Sequence, residues 1–442
     1  MEFVVLVIFM LGYLAITLEH QLRVDKLVPA LAMMAVAWAV VALSHLPVFE
    51  ITEHGLETAS IEAVLLHHFG KTCEILIFLI GAMTIVEIID HFDGFSTIKK
   101  FIKTNSKKTL LWIVAILAFI LSAIIDNLTA TIVLITIMTK LIERREDRIW
   151  YVGMIIITAN AGGAWSPIGD VTTTMLWMGH KVTTLKLMEH LLLPSLVCMA
   201  LPTFIASFLK PFQGTFNTPV ESHTSANKHS ATMLYLGLLL IIAVPVFKTL
   251  THLPPYMGMM LSLAIFTIVA EVITNRDFKM GHVKATDQYH SPVHGALSKI
   301  EMPSLLFFLG ILMTVAALES LGMIFKFGQG VEASIGTDLF VIILGFASAI
   351  VDNVPLVAAA LGMFPDMIVD HPDWHLIAFT AGTGGSMLII GSAAGVVAMG
   401  MERIDFFWYL KKIAWLALVG YIAGVAAFYF FNHYLFPAIS WS

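Results

Sequence analysis

The sequence predicts an all-α polytopic membrane protein made of two inverted repeats. Each repeat has five transmembrane helices plus a re-entrant helical hairpin, with broken helices at the midplane. Three observations carry this expectation. Hydrophobic residues make up 58% of the 442 and charged residues only 13%, against roughly 45–50% and about 25% in soluble domains, and mean hydropathy is +0.87. Two apolar runs, "SAIIDNLTATIVL" from Ser122 and "SAIVDNVPLVAAA" from Ser348, each hold an Asp-Asn pair in their middle. Two glycine-rich interruptions follow them at matching places, "TANAGGAWSPIGDVTT" from Thr158 and "TAGTGGSMLIIGSAAG" from Thr380.

A bilayer-spanning helix needs roughly 20 apolar residues. In the first repeat, taken as residues 1–210, such spans are expected from about Phe3 to Leu18, Leu27 to Val48, Glu74 to Ile89 and Lys186 to Phe208. The opening "MEFVVLVIFMLGYLAI" has no basic leader and reads as the first span rather than a cleavable signal. Residues 211–230 form the expected loop between repeats. In the second repeat, residues 231–442, spans are expected over Ala231–Leu250, Met257–Thr274, Met302–Phe325 and Phe406–Phe431.

Four segments do not fit a simple span. Thr109–Thr139 is flanked by Lys99, Lys100, Lys103, Lys107 and Lys108 on one side and by Lys140, Arg144, Arg145 and Arg148 on the other. Basic loops stay in the cytoplasm, so this segment enters and leaves on one face. Its 31 residues give two arms of only about 20–25 Å at 1.5 Å per residue, less than the hydrocarbon core. A re-entrant hairpin with Asp126-Asn127 at its tip is expected. The second hairpin, 339–364, carries Asp352-Asn353 and Pro355, and the loop beyond it has Asp366, Asp370 and Asp373 without Lys or Arg. The loop holding Arg276, Lys279, Lys284 and Lys299 falls inside, so the two hairpins enter from opposite faces. Segments 151–178 and 376–401 are the expected broken helices. "FLIGAMTIVEIID" from Phe78 also lines up with "FFLGILMTVAALE" from Phe307. Matching units displaced by an odd number of crossings are inverted, and such folds place their sites at the midplane. The count puts both termini outside a cytoplasmic (inner) membrane that the chain crosses many times.

Other classes are poorly supported. A net charge of −6 with no basic block argues against nucleic acid as a partner. Cys73 and Cys198 lie far apart in apolar surroundings, and the seventeen histidines show no HExxH spacing.

The chemistry lies in the tips and breaks. Gly162, Gly163, Pro167 and Gly169 interrupt a helix, freeing carbonyls and exposing a helix N-terminus. Hydroxyls bonded to the preceding turn account for Ser166, Thr172, Thr173 and Thr174 without a ligand. They do not account for Asp170, because an acid in the bilayer costs several kcal/mol and marks a pathway or a proton relay. Asp126 is open to the same reading, with helix capping as its alternative. Asn127 and Thr129 serve equally as caps or as ligands. Asp352 and Asn353 occupy the symmetric tip, and Ser392 stands where the first half has Asp170. Ser348 and Ser386 are candidate ligands, with ordinary backbone bonding as the alternative. Glu74 reads as an interfacial acid at the start of a span.

No Lys or Arg lies in either hairpin or glycine break. Carboxylates with amide, hydroxyl and backbone oxygens suit a hard cation, Na⁺ or H⁺, and disfavour an anion. Asp126 and Asp170 are the expected exchange pair, and Asn160, Thr172 and Thr173 the expected neutral oxygens. The Na⁺ contacts are expected from Asp126, Asn160 and Asp170.

At these residues the chain resembles the NhaD family of sodium/proton antiporters, within a superfamily that includes arsenite and dicarboxylate carriers. The similarity extends over nearly the whole chain, and "NAGGAWSPIGDVTTTMLW" is its most specific segment. The resemblance implies two inverted repeats of five spans and a hairpin, a homodimer with scaffold and transport regions, and exchange of cytoplasmic Na⁺ or Li⁺ for external H⁺. No cofactor is implied beyond the transported ions and the lipid bilayer. Functional positions would fall on Asp126, Asn127, Asn160, Asp170, Thr172, Thr173, Ser348 and Asn353. Two rivals are a same-fold carrier of a dicarboxylate or arsenite and a membrane scaffold without transport. A third is an intramembrane aspartyl protease, whose GxGD motif "PIGD" resembles. The protease reading lacks the first glycine, which is Pro167, and a YD partner. A scaffold would have no use for three deep acids.

Overall fold

A computed structural model describes residues 2–17, 22, 24–52, 55–102, 104–216, 228–279 and 291–435. Residues 217–227 of the loop between halves lie outside the described residues, as do Lys103, Lys284, His54, His223 and His290. The first half runs α1 (Glu2–Thr17), α2 (Leu27–Leu43), an antiparallel ribbon of β1 (Val48–Thr52) and β2 (Gly55–Ala59), and the 31-residue α3 (Ile61–His91). It continues through α4 (Lys107–Ile125), α5 (Asn127–Leu141), α6 (Arg145–Gly163), α7 (Val171–Met178) and α8 (Thr184–Ala206). The second half runs α9 (Ser230–Thr251), α10 (Pro255–Lys279), α11 (Pro292–Leu297), α12 (Met302–Ser320) and α13 (Met323–Ser334). Then come α14 (Thr337–Ser348), α15 (Asn353–Met363), α16 (Pro372–Gly384), α17 (Ala393–Glu402), α18 (Phe406–Lys412) and α19 (Ala414–Leu435).

Among the described residues seven helices are long and apolar enough to cross a membrane, or eight if α13 and α14, bent by 118°, are one span. Several boundaries differ from expectation. The β ribbon departs from an all-helical chain: "FEIT" from Phe49 alternates apolar and polar residues, and "VFEIT" finds a register partner in "GLETA". The third span starts at Ile61 instead of Glu74, with Ser60 capping it through the Ala63 amide, so Glu74 lies within the helix. The span expected to reach Phe325 stops at Ser320. Gly322, at φ 68°, turns the chain into α13, which buries only Ile324, Gly328 and Val331. The last span is interrupted at Ile413 between α18 and α19. The length argument also holds for one arm only: α4, with 19 residues, measures about 28 Å, whereas α5, with 15, measures about 22 Å.

The centre is formed by α6 and α16, every residue of which is buried from Tyr151 to Gly163 and from Pro372 to Gly384. A helix apolar on all sides belongs in such a core. The two broken helices run antiparallel, and polar contacts fix both ends. At one end Arg148 Nε and Nη2 grip the Glu402 carboxylate at 2.6 and 2.9 Å, and Arg145 Nη2 donates to the Arg403 carbonyl at 2.6 Å. At the other end the Asp370 amide donates to the Lys181 carbonyl at 2.9 Å, and Thr183 Oγ1 donates to Asp370 Oδ2 at 2.8 Å.

The hairpins attach to opposite ends of this pair. Tyr151 Oη donates to the Lys107 carbonyl at 2.9 Å and Lys107 Nζ lies 3.5 Å from Asp147 Oδ2, so α4 begins beside the start of α6. The base of the second hairpin meets the far end, where Lys181 Nζ donates to the Pro365 carbonyl at 2.7 Å. Glycine allows the close approach. A Cβ on Gly163 would lie 2.5 Å from the Gly169 carbonyl oxygen, and one on Gly385 would lie 2.7 Å from that of Gly391.

Candidate functional site

The tips and breaks meet at this centre. Asp126 joins α4 to α5 with φ 81° and ψ 159°, a backbone region that is essentially glycine-only. Its Oδ1 accepts the Thr129 amide at 2.7 Å and its Oδ2 accepts Thr129 Oγ1 at 2.9 Å. The carboxylate therefore caps α5, whose positive N-terminal dipole favours the charge. Asp170 caps α7 in the same manner, taking the Thr172 amide at 3.3 Å, and is buried. Both acids face a small cavity of about 20 Å³, walled by Phe78, Leu79, Met83, Ile168 and Thr174 among others, with no Lys or Arg. That is room for a single water-sized occupant.

Three amides and a serine tie the halves together. Asn127 Nδ2 donates to Asn160 Oδ1 at 2.9 Å, and Asn160 Nδ2 donates to Ser392 Oγ at 3.0 Å. Asn353 Nδ2 donates to Asp170 Oδ2 at 3.1 Å. Each tip asparagine thus points toward the break of the other half, directly for Asn353 and through Asn160 for Asn127. The difference is steric. The position matching Asn160 is Gly382, where a Cβ would stand 3.3 Å from Asp170 Oδ2. Ser392 caps α17 through the Gly395 amide at 3.2 Å, in nearly the backbone conformation of Asp170, φ −142° against −147°.

The remaining predicted residues divide. The Thr172 hydroxyl is buried beside the Asp170 carboxylate, within interaction range of it. Thr173 Oγ1 donates to the Asp170 carbonyl at 2.9 Å, which secures the first turn of α7. Ser348 Oγ donates to the Ala381 carbonyl and Ser122 Oγ to the Ala159 carbonyl, both at 2.6 Å, a matched pair that pins each hairpin to its broken helix. Ser386 Oγ donates to the Thr383 carbonyl at 2.7 Å, an ordinary bond to its own backbone turn. Asn160 does not wall the small cavity; it reaches the tip through Asn127. Asp352 caps α15 through the Val354 amide at 3.3 Å and lies 3.9 Å from Lys26 Nζ.

Two features escaped the sequence. Lys26 is distant in the chain from the second tip. A cavity of about 420 Å³ also runs from Leu128 and Thr129 to Lys140 and Lys299, with Glu87, Asp90, Asp93 and Glu301 on its walls. Its only sequence signal is the acid content of "TIVEIIDHFD". Among the described residues no three His, Cys, Asp or Glu side chains converge as a metal-binding group. The centre is two acids with amides and hydroxyls.

Comparison with known proteins bears on this arrangement. Residues 4–384 match the family described as Citrate transporter (CitMHS). Sodium/proton antiporter 1 of Arabidopsis thaliana is 42% identical over 426 residues, covering 95% of this chain and 71% of that protein. The Na(+)/H(+) antiporter NhaD of Alkalimonas amylolytica is 31% identical over 464 residues, covering 98% and 91%. Among solved structures, the YdaH transporter of Alcanivorax borkumensis superposes with a TM-score of 0.57 at 13% identity, covering 94% of this chain and 98% of that one. That likeness concerns the fold alone.

Proposed function

The chain belongs to the citrate-transporter family, within it to the sodium/proton antiporters of NhaD type, and on that footing we propose that it exchanges Na⁺ or Li⁺ for H⁺ at Asp126 and Asp170. The observation that carries this reading is the single small cavity faced by both acids and by no cationic side chain. Two carboxylates in so confined a space repel one another, and burial adds to the cost of charging both. A bound proton or a bound sodium ion relieves that cost on the same oxygens. The two therefore compete, and competition at one site exposed alternately to each face is sufficient for antiport.

The supporting parts follow from the geometry. The Thr172 hydroxyl and the side-chain carbonyl oxygen of Asn127 offer neutral oxygens beside the acids. Asn353 holds Asp170 Oδ2 and links its position to the second tip. Inverted repeats are supported by the antiparallel broken helices and by the duplicated serine bonds. By the positive-inside rule, the wide cavity ending at Lys140 and Lys299 opens to the cytoplasm, and α4 and α5 form a re-entrant hairpin based there. The protein then resides in the cytoplasmic membrane as a homodimer with both termini outside, loading cytoplasmic Na⁺ and releasing it against incoming H⁺.

The family description names citrate, a polyanion. Two acids facing a cavity without Lys or Arg would repel it. Inverted vesicles with a preformed pH gradient test the choice. Sodium or lithium is expected to dissipate the gradient, whereas citrate and succinate leave it unchanged. Carboxylate-driven uptake with no sodium response overturns the reading.

A further inference from the structure

Asp126 and Asp352 occupy matching places at the two tips, but their surroundings differ. No basic side chain walls the cavity beside Asp126. Asp352 has Lys26 Nζ 3.9 Å from its Oδ2, with side-chain exposures of 20% and 14%. The same ammonium stands 4.5 Å from the centroid of the Phe307 ring, close enough for the aromatic face to add to its hold. Asp352 has ordinary backbone angles, φ −49° and ψ 138°, where Asp126 is in glycine-only space. Three separate elements converge on this contact: the start of α2, the second tip and α12.

Lys26 also borders open space. It walls a cavity of about 140 Å³ together with Asp25, Leu128, Glu301, Ser304 and Ala393, and Asp352 does not reach that wall. Leu128 and Glu301 border both this cavity and the wide one.

We infer that Lys26 is a tethered counter-cation that fills the second tip's cation position, so that of two symmetric Asp-Asn tips only the Asp126 tip is open to a travelling ion. The inference rests on reading the first tip as the exchange site. An ammonium held by its own side chain loses none of the translational freedom that a free ion gives up on binding, so sodium does not displace it. Asp352 caps α15 and takes no part in exchange.

Four proteins decide the matter: wild type, Lys26→Met, Asp352→Asn and the double variant. Thermal unfolding is compared in sodium chloride and choline chloride at matched ionic strength. Sodium is expected to raise the midpoint of Lys26→Met several degrees more than that of the wild type or the double variant, because only Lys26→Met offers a bare Asp352. In sodium-driven proton flux each single variant is expected to lose activity several-fold. The double variant regains most of it, since neither charge is left without its counter-ion. Lys26→Arg keeps the charge and should track the wild type in both measurements. Sodium stabilising Lys26→Met no more than the double variant overturns the inference. So does a double variant no more active than the weaker single one. If Lys26→Met fails to accumulate and adding Asp352→Asn restores it, the pairing is supported; if nothing is restored, it is refuted. A wild type without sodium-driven flux defeats the exchange reading instead, and the thermal comparison still decides the second tip.

Discussion

Asp126 joins a functional group to an unfavourable backbone. An L-residue with positive φ places its Cβ against the carbonyl at a cost of about 1–2 kcal/mol, and the two bonds to Thr129 offset part of it. Asp126→Gly removes the strain and the acid together, whereas Asp126→Ala keeps the strain. The glycine variant should be the more stable by about 1 kcal/mol, read as a higher thermal midpoint, and both should lack exchange. Asp126→Asn and Asp170→Asn each delete the titratable group and should abolish sodium-driven proton flux in protein that reaches the membrane. Near-normal flux in either would remove the shared-carboxylate site. Thr172 makes a subtler case. On the proposed site its hydroxyl, beside Asp170, is a neutral oxygen for sodium, so Thr172→Val should weaken apparent sodium affinity about fivefold, equivalent to about 1 kcal/mol, while maximal rate changes less. A loss confined to maximal rate would count against a ligand role.

At the scale of elements, each break is the start of a helix. Asp170 and Ser392 cap α7 and α17 in matching conformations, and the glycines beneath them let two backbones touch. The antiparallel pair depends on the charged clamp at one end. Glu402 is almost fully buried and both its oxygens are held by Arg148. Removing one partner of a buried pair leaves an uncompensated charge, so Arg148→Met should cost about 3 kcal/mol or more, seen as lower membrane abundance and thermal midpoint. Glu402→Gln, which leaves the arginine a neutral acceptor, should cost less. The first hairpin yields a labelling test. In a background lacking Cys73 and Cys198, cysteines at Lys108 and Glu143 should react with an impermeant reagent from the cytoplasmic face, and one at Asp366 from outside. Labelling of the first two from opposite faces would make α4 a full span, which its length permits.

At the scale of the whole molecule, a wide cavity lies beside the first tip. Glu87, Asp90, Asp93 and Glu301 outnumber Lys140 and Lys299 on its walls, and low-dielectric walls of one prevailing sign concentrate counter-ions. The entrance ends at Leu128 and Thr129, beside the Asp126 carboxylate. Thr136 lies on this wall and is exposed. Thr136→Cys should therefore label from the cytoplasmic face and be silent from outside. Labelling from outside alone would reverse the proposed orientation.

The sequence by itself determined the membrane class, the two Asp-Asn tips, the two glycine breaks and the acids Asp126 and Asp170. These are legible because a charge or a glycine cluster inside an apolar run is costly and stands out against its neighbours. It also gave the matching order of elements, since hydrophobic period and breakers are local properties. Boundaries such as Ile61, Ser320 and Ile413 were not legible, because an apolar run does not mark where lipid ends and a turn begins. Only the tertiary structure separated the hydroxyls bonded to backbone, Ser348 and Thr173, from that of Thr172, which sits beside the Asp170 carboxylate. It alone set Lys26 against Asp352 across the fold and left Asp126 and Asp170 facing one cavity. Partners that lie hundreds of residues apart are chosen by packing, and no local pattern records them.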